Sequence, residues 1–165
     1  MGNYLLWPNI CQVTLLILMF IGACSSSTGS GLKVVRFVVI AKLLRHGISM
    51  RLHPKYYEAI KINKSSVAPD IVSGVSNYVF LYIVMVFIGT FAISFETADM
   101  TTAFTSAVSC LSNIGPCFGV IGVSGCYVDY SAFSKIILSV LMIAGRLELY
   151  TFFILFSPHY WTQKY

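Results

Sequence analysis

Residues 99–116 constrain this chain more than any other stretch. Asp99 is suited to cap a helix whose first turn holds Thr101 and Thr102. The helical pattern then runs to Leu111, about twelve residues or roughly 18 Å at 1.5 Å per residue. A hydrocarbon core is about 30 Å thick, so this helix cannot cross it. It also cannot continue through Asn113-Ile114-Gly115-Pro116. On each side lies a segment that is long enough to cross. Residues 71–94 carry no charge and end at Phe95-Glu96, and residues 132–157 end at Pro158. Span, half-helix, extended turn, span is the order of a helix–pore-loop–helix unit over 71–157.

Composition agrees with lipid as the solvent. The 165 residues are 57% hydrophobic and 10% charged, against about a quarter charged in soluble domains. The net charge of +5 does not point to nucleic acid, because eight of the eleven Lys and Arg fall between Lys33 and Lys64. A basic block between apolar spans follows the positive-inside rule, and it makes residues 46–70 a cytoplasmic loop with one short amphipathic piece. Tyr160 and Trp161 suit an interface belt, and Lys164 suits the cytoplasm, so 158–165 reads as a cytoplasmic tail. Met1 to Pro8 lacks the basic start of a signal peptide.

Upstream of the basic block, an apolar run over residues 10–23 is too short to span alone. Eight small residues follow, Cys24-Ser25-Ser26-Ser27-Thr28-Gly29-Ser30-Gly31, and apolar character resumes at Leu32. Residues 1–45 therefore read as one helix with a broken middle at 24–31. Lipid cannot satisfy unwound backbone, so such a break is buried in protein or lines water. A helix-packing face of small residues is the alternative. Lys33 and Arg36 read as positive-inside anchors.

The extended turn carries the chemistry. A cation filter replaces the ion's hydration shell with backbone carbonyls, and glycine tolerates the backbone angles this demands. Asn113, Ile114 and Gly115, within a filter segment 112–117, fit that role, and the preceding helix points its partly negative end at them. An ordinary loop turn is the alternative reading of those four residues alone. Arg146, roughly 21 Å into the last span, is a costly charge expected to face water or a partner. In a cation pore it would act as a barrier or as the anchor of a gate; snorkelling to headgroups is the alternative. Glu148 is not its expected partner, since residues two apart point away from each other. Five cysteines, an odd count, show no metal-site spacing; Cys117 and Cys126 could pair on the outer side. No catalytic constellation is present in the sequence, so no enzyme is expected.

These residues resemble a known family. Asn113-Ile114-Gly115-Pro116, Gly145-Arg146-Leu147-Glu148 and Phe156-Ser157-Pro158-His159-Tyr160-Trp161 are similar to the C-terminal quarter of the TrkH/KtrB potassium transporters. Cys24 to Arg36 resembles the inner helix of that family's third quarter, which reads G-C-x-x-S-T-G-G-G-I-K-V-x-R. Ser30 departs from the middle glycine, and Cys117 from the glycine after the filter.

The resemblance implies an all-α integral membrane fold of the potassium-channel-like kind, with residues 1–45 as the inner helix of a third pore unit. The fourth unit would hold an outer helix 71–94, a pore helix 100–111, the filter, and an inner helix 132–157. It implies that potassium is the substrate, bound through Asn113, Ile114 and Gly115, with no cofactor. Ser27, Thr28, Gly29, Ser30 and Gly31 would form an intramembrane gating loop, and Arg146 would face the pore. It further implies a homodimer in the bacterial cytoplasmic (inner) membrane with a cytosolic nucleotide-binding subunit of the TrkA/KtrA kind. A non-conducting fragment and a membrane scaffold or assembly subunit are the competing expectations, because two quarters of the family's pore are absent.

Overall fold

The computed structural model describes residues 7–22, 30–52, 61–62, 65–66, 69–119, 127–156 and 158–162. Helices α1 (Asn9–Phe20) and α2 (Val34–Leu52) are followed by a minute hairpin, β1 (Lys61–Ile62) with β2 (Ser65–Ser66). Then come α3 (Pro69–Ser94), α4 (Met100–Ser112), α5 (Ala132–Arg146), α6 (Leu149–Phe156) and the short α7 (Pro158–Thr162). The all-α expectation thus holds apart from that hairpin and one isolated bridge between Ile21 and Leu32.

Helix α4 is the centre of the molecule. Ten of its 13 residues are buried, and most are small or carry a hydroxyl. Helices α3 and α5 close over it, with Tyr82, Ile93, Leu138 and Leu141 in the shared core. Small residues permit the close approach: a Cβ on Gly145 of α5 would lie 1.9 Å from the Leu111 carbonyl oxygen. Only a glycine lets the two backbones meet there. Gly89 plays a similar part between α3 and α5, where a Cβ would meet Leu141 at 2.6 Å.

Residues 72–94 of α3 form a helix long and apolar enough to cross a bilayer. The single inner helix expected over 132–157 is instead broken. Helices α5 and α6 meet at 110°. Leu147 N–H still bonds Ile143 O, but Glu148 is left-handed at φ +61 and cannot continue the helix. Two further expectations differ. Helix α2 reaches Leu52, seven residues into the expected loop; Met50, Arg51 and Leu52 are good helix formers, and they carry the helix past Gly47. Asp99 has extended backbone at the start of α4, but its side chain makes no capping bond; its carbonyl accepts from Ala103 N–H at 3.1 Å.

Candidate functional site

Helix α4 ends by a paired carbonyl closure. Asn113 takes left-handed angles (φ 54, ψ 43), its N–H bonds Cys110 O, and Ile114 N–H reaches back to Ser109 O at 3.0 Å. Asparagine tolerates this conformation better than other non-glycine residues. The chain then reverses and returns along the helix it has just left.

One face of α4 holds the returning segment. Ser109 Oγ donates to Pro116 O at 2.7 Å, and Thr105 Oγ1 accepts from Phe118 N–H at 3.1 Å. Gly119, at φ +94, lies so close to Thr102 that a Cβ would come within 1.9 Å of its Oγ1. Residues 109, 105 and 102 are spaced by four and three, the spacing of one helix face. The hydroxyls thus replace the backbone partners the return segment lacks. Ile114, Gly115 and Pro116 are exposed on the opposite side. Gly115 has φ +100 with open space around its Cβ position, so its backbone angle, not crowding, favours glycine. Its carbonyl accepts from Tyr127 Oη at 2.8 Å.

The foot of this segment meets the break in the N-terminal helix. Asn113 Nδ2 donates to Ser30 Oγ and to Met142 O, both at 3.0 Å. Gly31, at φ +91, sits against Ser112, whose Oγ shares a 2.8 Å bond with Tyr82 Oη. The observed break is wider than 24–31: α1 stops at Phe20 and α2 starts at Val34. Its ends are drawn together by Gly22 N–H on Leu32 O at 2.9 Å. Of the expected gating residues, Ser30 and Gly31 are therefore brought to the filter segment, while Ser27, Thr28 and Gly29 lie outside the described residues. So does Cys126, the proposed mate of Cys117.

The charged residues fall differently from expectation. Lys33 and Arg36 do not stand apart as interface anchors. Lys33 Nζ meets Glu148 Oε1 at 2.5 Å and Arg36 Nη2 meets Oε2 at 3.2 Å. The Arg36 guanidinium also stacks 3.6 Å above the Tyr78 ring. Arg146 is in the last turn of α5 and exposed. Glu148 and Tyr127 are the residues that sequence reasoning passed over. A signal for the first was available: Lys33 and Arg36 share a helix face near membrane depth, and Glu148 is an acid within the last span.

At the start of α5, the Glu96 carboxylate acts as a cap. It accepts from Ser134 Oγ, from Ser131 N–H, and from Ser131 Oγ at 2.9 Å. The Ser134 hydroxyl, then the Ser131 N–H, hold its carboxyl below the usual range. Among the described residues, no three His, Cys, Asp or Glu gather as a metal site.

Comparison with known proteins places the chain. The TrkH model, described as a cation transport protein, matches residues 3–163. The chain is 33% identical over 162 residues to the Trk system potassium uptake protein TrkH of Halomonas elongata, covering 98% of this chain and 33% of that protein. It is 32% identical over 157 residues to the Escherichia coli K12 protein of that name, covering 95% and 32% respectively. The crystal structure of the potassium transporter TrkH from Vibrio parahaemolyticus superposes with a TM-score of 0.84 at 30% identity, covering 94% of this chain and 33% of that one. The chain thus spans about a third of the length of these relatives. It belongs to the TrkH family, a family of cation transport proteins and not of enzymes.

Proposed function

We propose that this chain supplies one wall of a potassium-conducting pore, together with the gate element of the neighbouring wall. The observation that carries the reading is the return segment: Ile114 to Pro116 are exposed, while the chain just beyond them is fastened to α4 by Ser109 and Thr105. A stretch held rigidly from behind and open in front is what carbonyl coordination of a bare cation requires. Helix α4 aims its partly negative end at the same place. Asn113 and Ile114 offer their carbonyls as potassium ligands. Gly115 contributes its conformation, with its own carbonyl steadied by Tyr127.

In this reading α3, α4, the return segment and α5 are the outer helix, pore helix, filter and inner helix of one pore unit. Helices α1 and α2 are the broken inner helix of the unit before it. Ser27 to Gly31 form the gating loop beneath the filter, and Arg146 tunes the field below it. One unit cannot surround an ion, so the remaining walls come from the other two thirds of the transporter. The assembly is a homodimer in the bacterial cytoplasmic membrane, with several passes per chain. A nucleotide-binding regulatory subunit of the TrkA/KtrA kind docks at the basic loop. Potassium is the substrate, and no cofactor takes part.

The test is a chimera in which these 165 residues replace the matching third of the Vibrio parahaemolyticus transporter. Expressed in a strain deficient in potassium uptake, it restores growth on low potassium. A chimera that reaches the membrane and does not restore growth refutes the reading, and leaves a scaffold role in its place.

A further inference from the structure

We infer that Glu148 is a positioning residue of the gate: from the break between α5 and α6, its carboxylate clamps Lys33 and Arg36 and so fixes Ser30 to Leu32 beneath the return segment, the arrangement of the closed state. This rests on the pore reading above and deepens it.

The clamp acts at the base of the break. Lys33 directly follows Leu32, whose carbonyl receives the Gly22 N–H that ties the two ends together. Two residues earlier, Gly31 packs on Ser112, and Ser30 bonds the Asn113 amide at the foot of the return segment. A pull on Lys33 is therefore a pull on the residues lying under the filter.

The carboxylate is presented by strained backbone. Glu148 is left-handed at φ +61, a conformation costly for a residue with a Cβ and retained only where the surroundings impose it. Here two cations hold its two oxygens, at 2.5 and 3.2 Å. The junction it occupies is a 110° bend, so releasing Glu148 frees α6 to swing as well as α2.

Arg36 is the fixed side of the clamp. Its guanidinium is stacked on Tyr78 of α3, and its side chain is 17% exposed. Its Nη1 is buried without a hydrogen-bond partner. Buried donors of this kind call for a specific explanation. A guanidinium has five N–H groups, so Arg36 keeps donors in reserve for another acceptor once Glu148 departs. The arrangement has the parts of a two-position latch.

The test uses the chimeric transporter reconstituted in vesicles without regulatory subunit, reading basal rubidium flux per transporter. Glu148→Gln and Lys33→Gln each raise it at least about fivefold, the lower end of common coupling strengths. The pair separates a latch from simple repulsion of cations near the pore. The first variant adds net positive charge and the second removes it, so an electrostatic effect alone moves the flux in opposite directions. Because Arg36 also bonds Glu148, the double swap Lys33→Glu with Glu148→Lys is made in an Arg36→Gln parent, so that the new lysine meets no guanidinium; it returns flux to within about twofold of that parent, as expected for directly coupled partners. Opposite shifts, unchanged flux in both single variants, or failure of the swap to restore the parent flux overturns the clamp. If the single variants do not reach the membrane, the swap decides alone: recovery of both protein level and low basal flux supports the clamp, and absence of recovery overturns it. An inactive parent chimera refutes the pore reading itself, whereas an active parent with unresponsive variants refutes only the clamp.

Discussion

The return segment after α4 and the described ends of the break between α1 and α2 meet the same short helix, yet they are fastened differently. Residues 114–119 are held by partners close in sequence. Ser109 reaches Pro116 seven positions away, and Thr105 reaches Phe118 thirteen away. Among the described residues of the break, Gly22 bonds Leu32, while Ser30 and Lys33 take partners far along the chain. Asn113 is 83 positions from Ser30, and Glu148 is 115 from Lys33. Helix and return segment can form together as one local unit. The described ends of the break rest on contacts of high sequence separation, each of which must first close a long loop. What is local stays fixed, and what is long-range can be let go.

The largest way to break this contrast is to separate the two regions bodily. Gly145→Ala places a methyl group against the Leu111 carbonyl, a backbone atom that cannot step aside. Overpacking of this kind costs about 1–3 kcal/mol or more. Size-exclusion chromatography in detergent is expected to show loss of the monodisperse protein. Asn113→Gly is milder and more selective. Glycine keeps the left-handed turn, while the bonds to Ser30 and Met142 vanish, at about 1–2 kcal/mol. Thermal unfolding in detergent should register this loss, and Ser30→Ala should remove part of it. A full-sized effect of Asn113→Gly in a Ser30→Ala background would show that the break takes nothing from the filter foot.

Two smaller effects sharpen the comparison at its edges. Tyr127→Phe deprives the Gly115 carbonyl of its donor, worth about 0.5–1.5 kcal/mol. The expected result is a weakened preference for potassium over sodium in competitive uptake by the chimera. The smallest concerns Glu96. Its carboxyl is lowered from an ordinary value near 4.5, so the unfolded chain takes up the proton first. The stability it lends is present above that ordinary value and is lost as pH falls through the lowered one. The group is open to water, so the effect is slight. Glu96→Gln should flatten the acid side of a stability profile, and an unchanged profile would count against the cap on α5.

What was legible in the sequence follows the same division. The half-length helix could be read because a length below a bilayer's thickness and a helix-ending Asn-Ile-Gly-Pro are local facts. The helix expected over 100–111 and the observed Met100–Ser112 differ by one residue. The chain could also be read to turn within Asn113-Ile114-Gly115-Pro116. It was not legible that the hydroxyls of Ser109 and Thr105 would serve as its fastenings, since Ser and Thr in an apolar helix read equally well as packing residues. The bend at Glu148 was hidden for a stronger reason. Apolar character resumes at Leu149, so the span reads as continuous, and the partners of the Glu148 carboxylate lie 115 and 112 positions away in Lys33 and Arg36. Arg146 and Glu148 stand two positions apart and point away from each other, so neither announces the pairing of Glu148 with Lys33 and Arg36.

The tie between Gly22 and Leu32 makes the intervening stretch a cassette closed at its neck. Helices α1 and α2 take their positions from that neck and from what each packs on. Exchange of residues 23–29 for a longer insert carries a closure cost of only about 0.6 kcal/mol per doubling of length. On the pore reading proposed above, the gate would be a replaceable part, open to tuning by length and composition without rebuilding the walls around it.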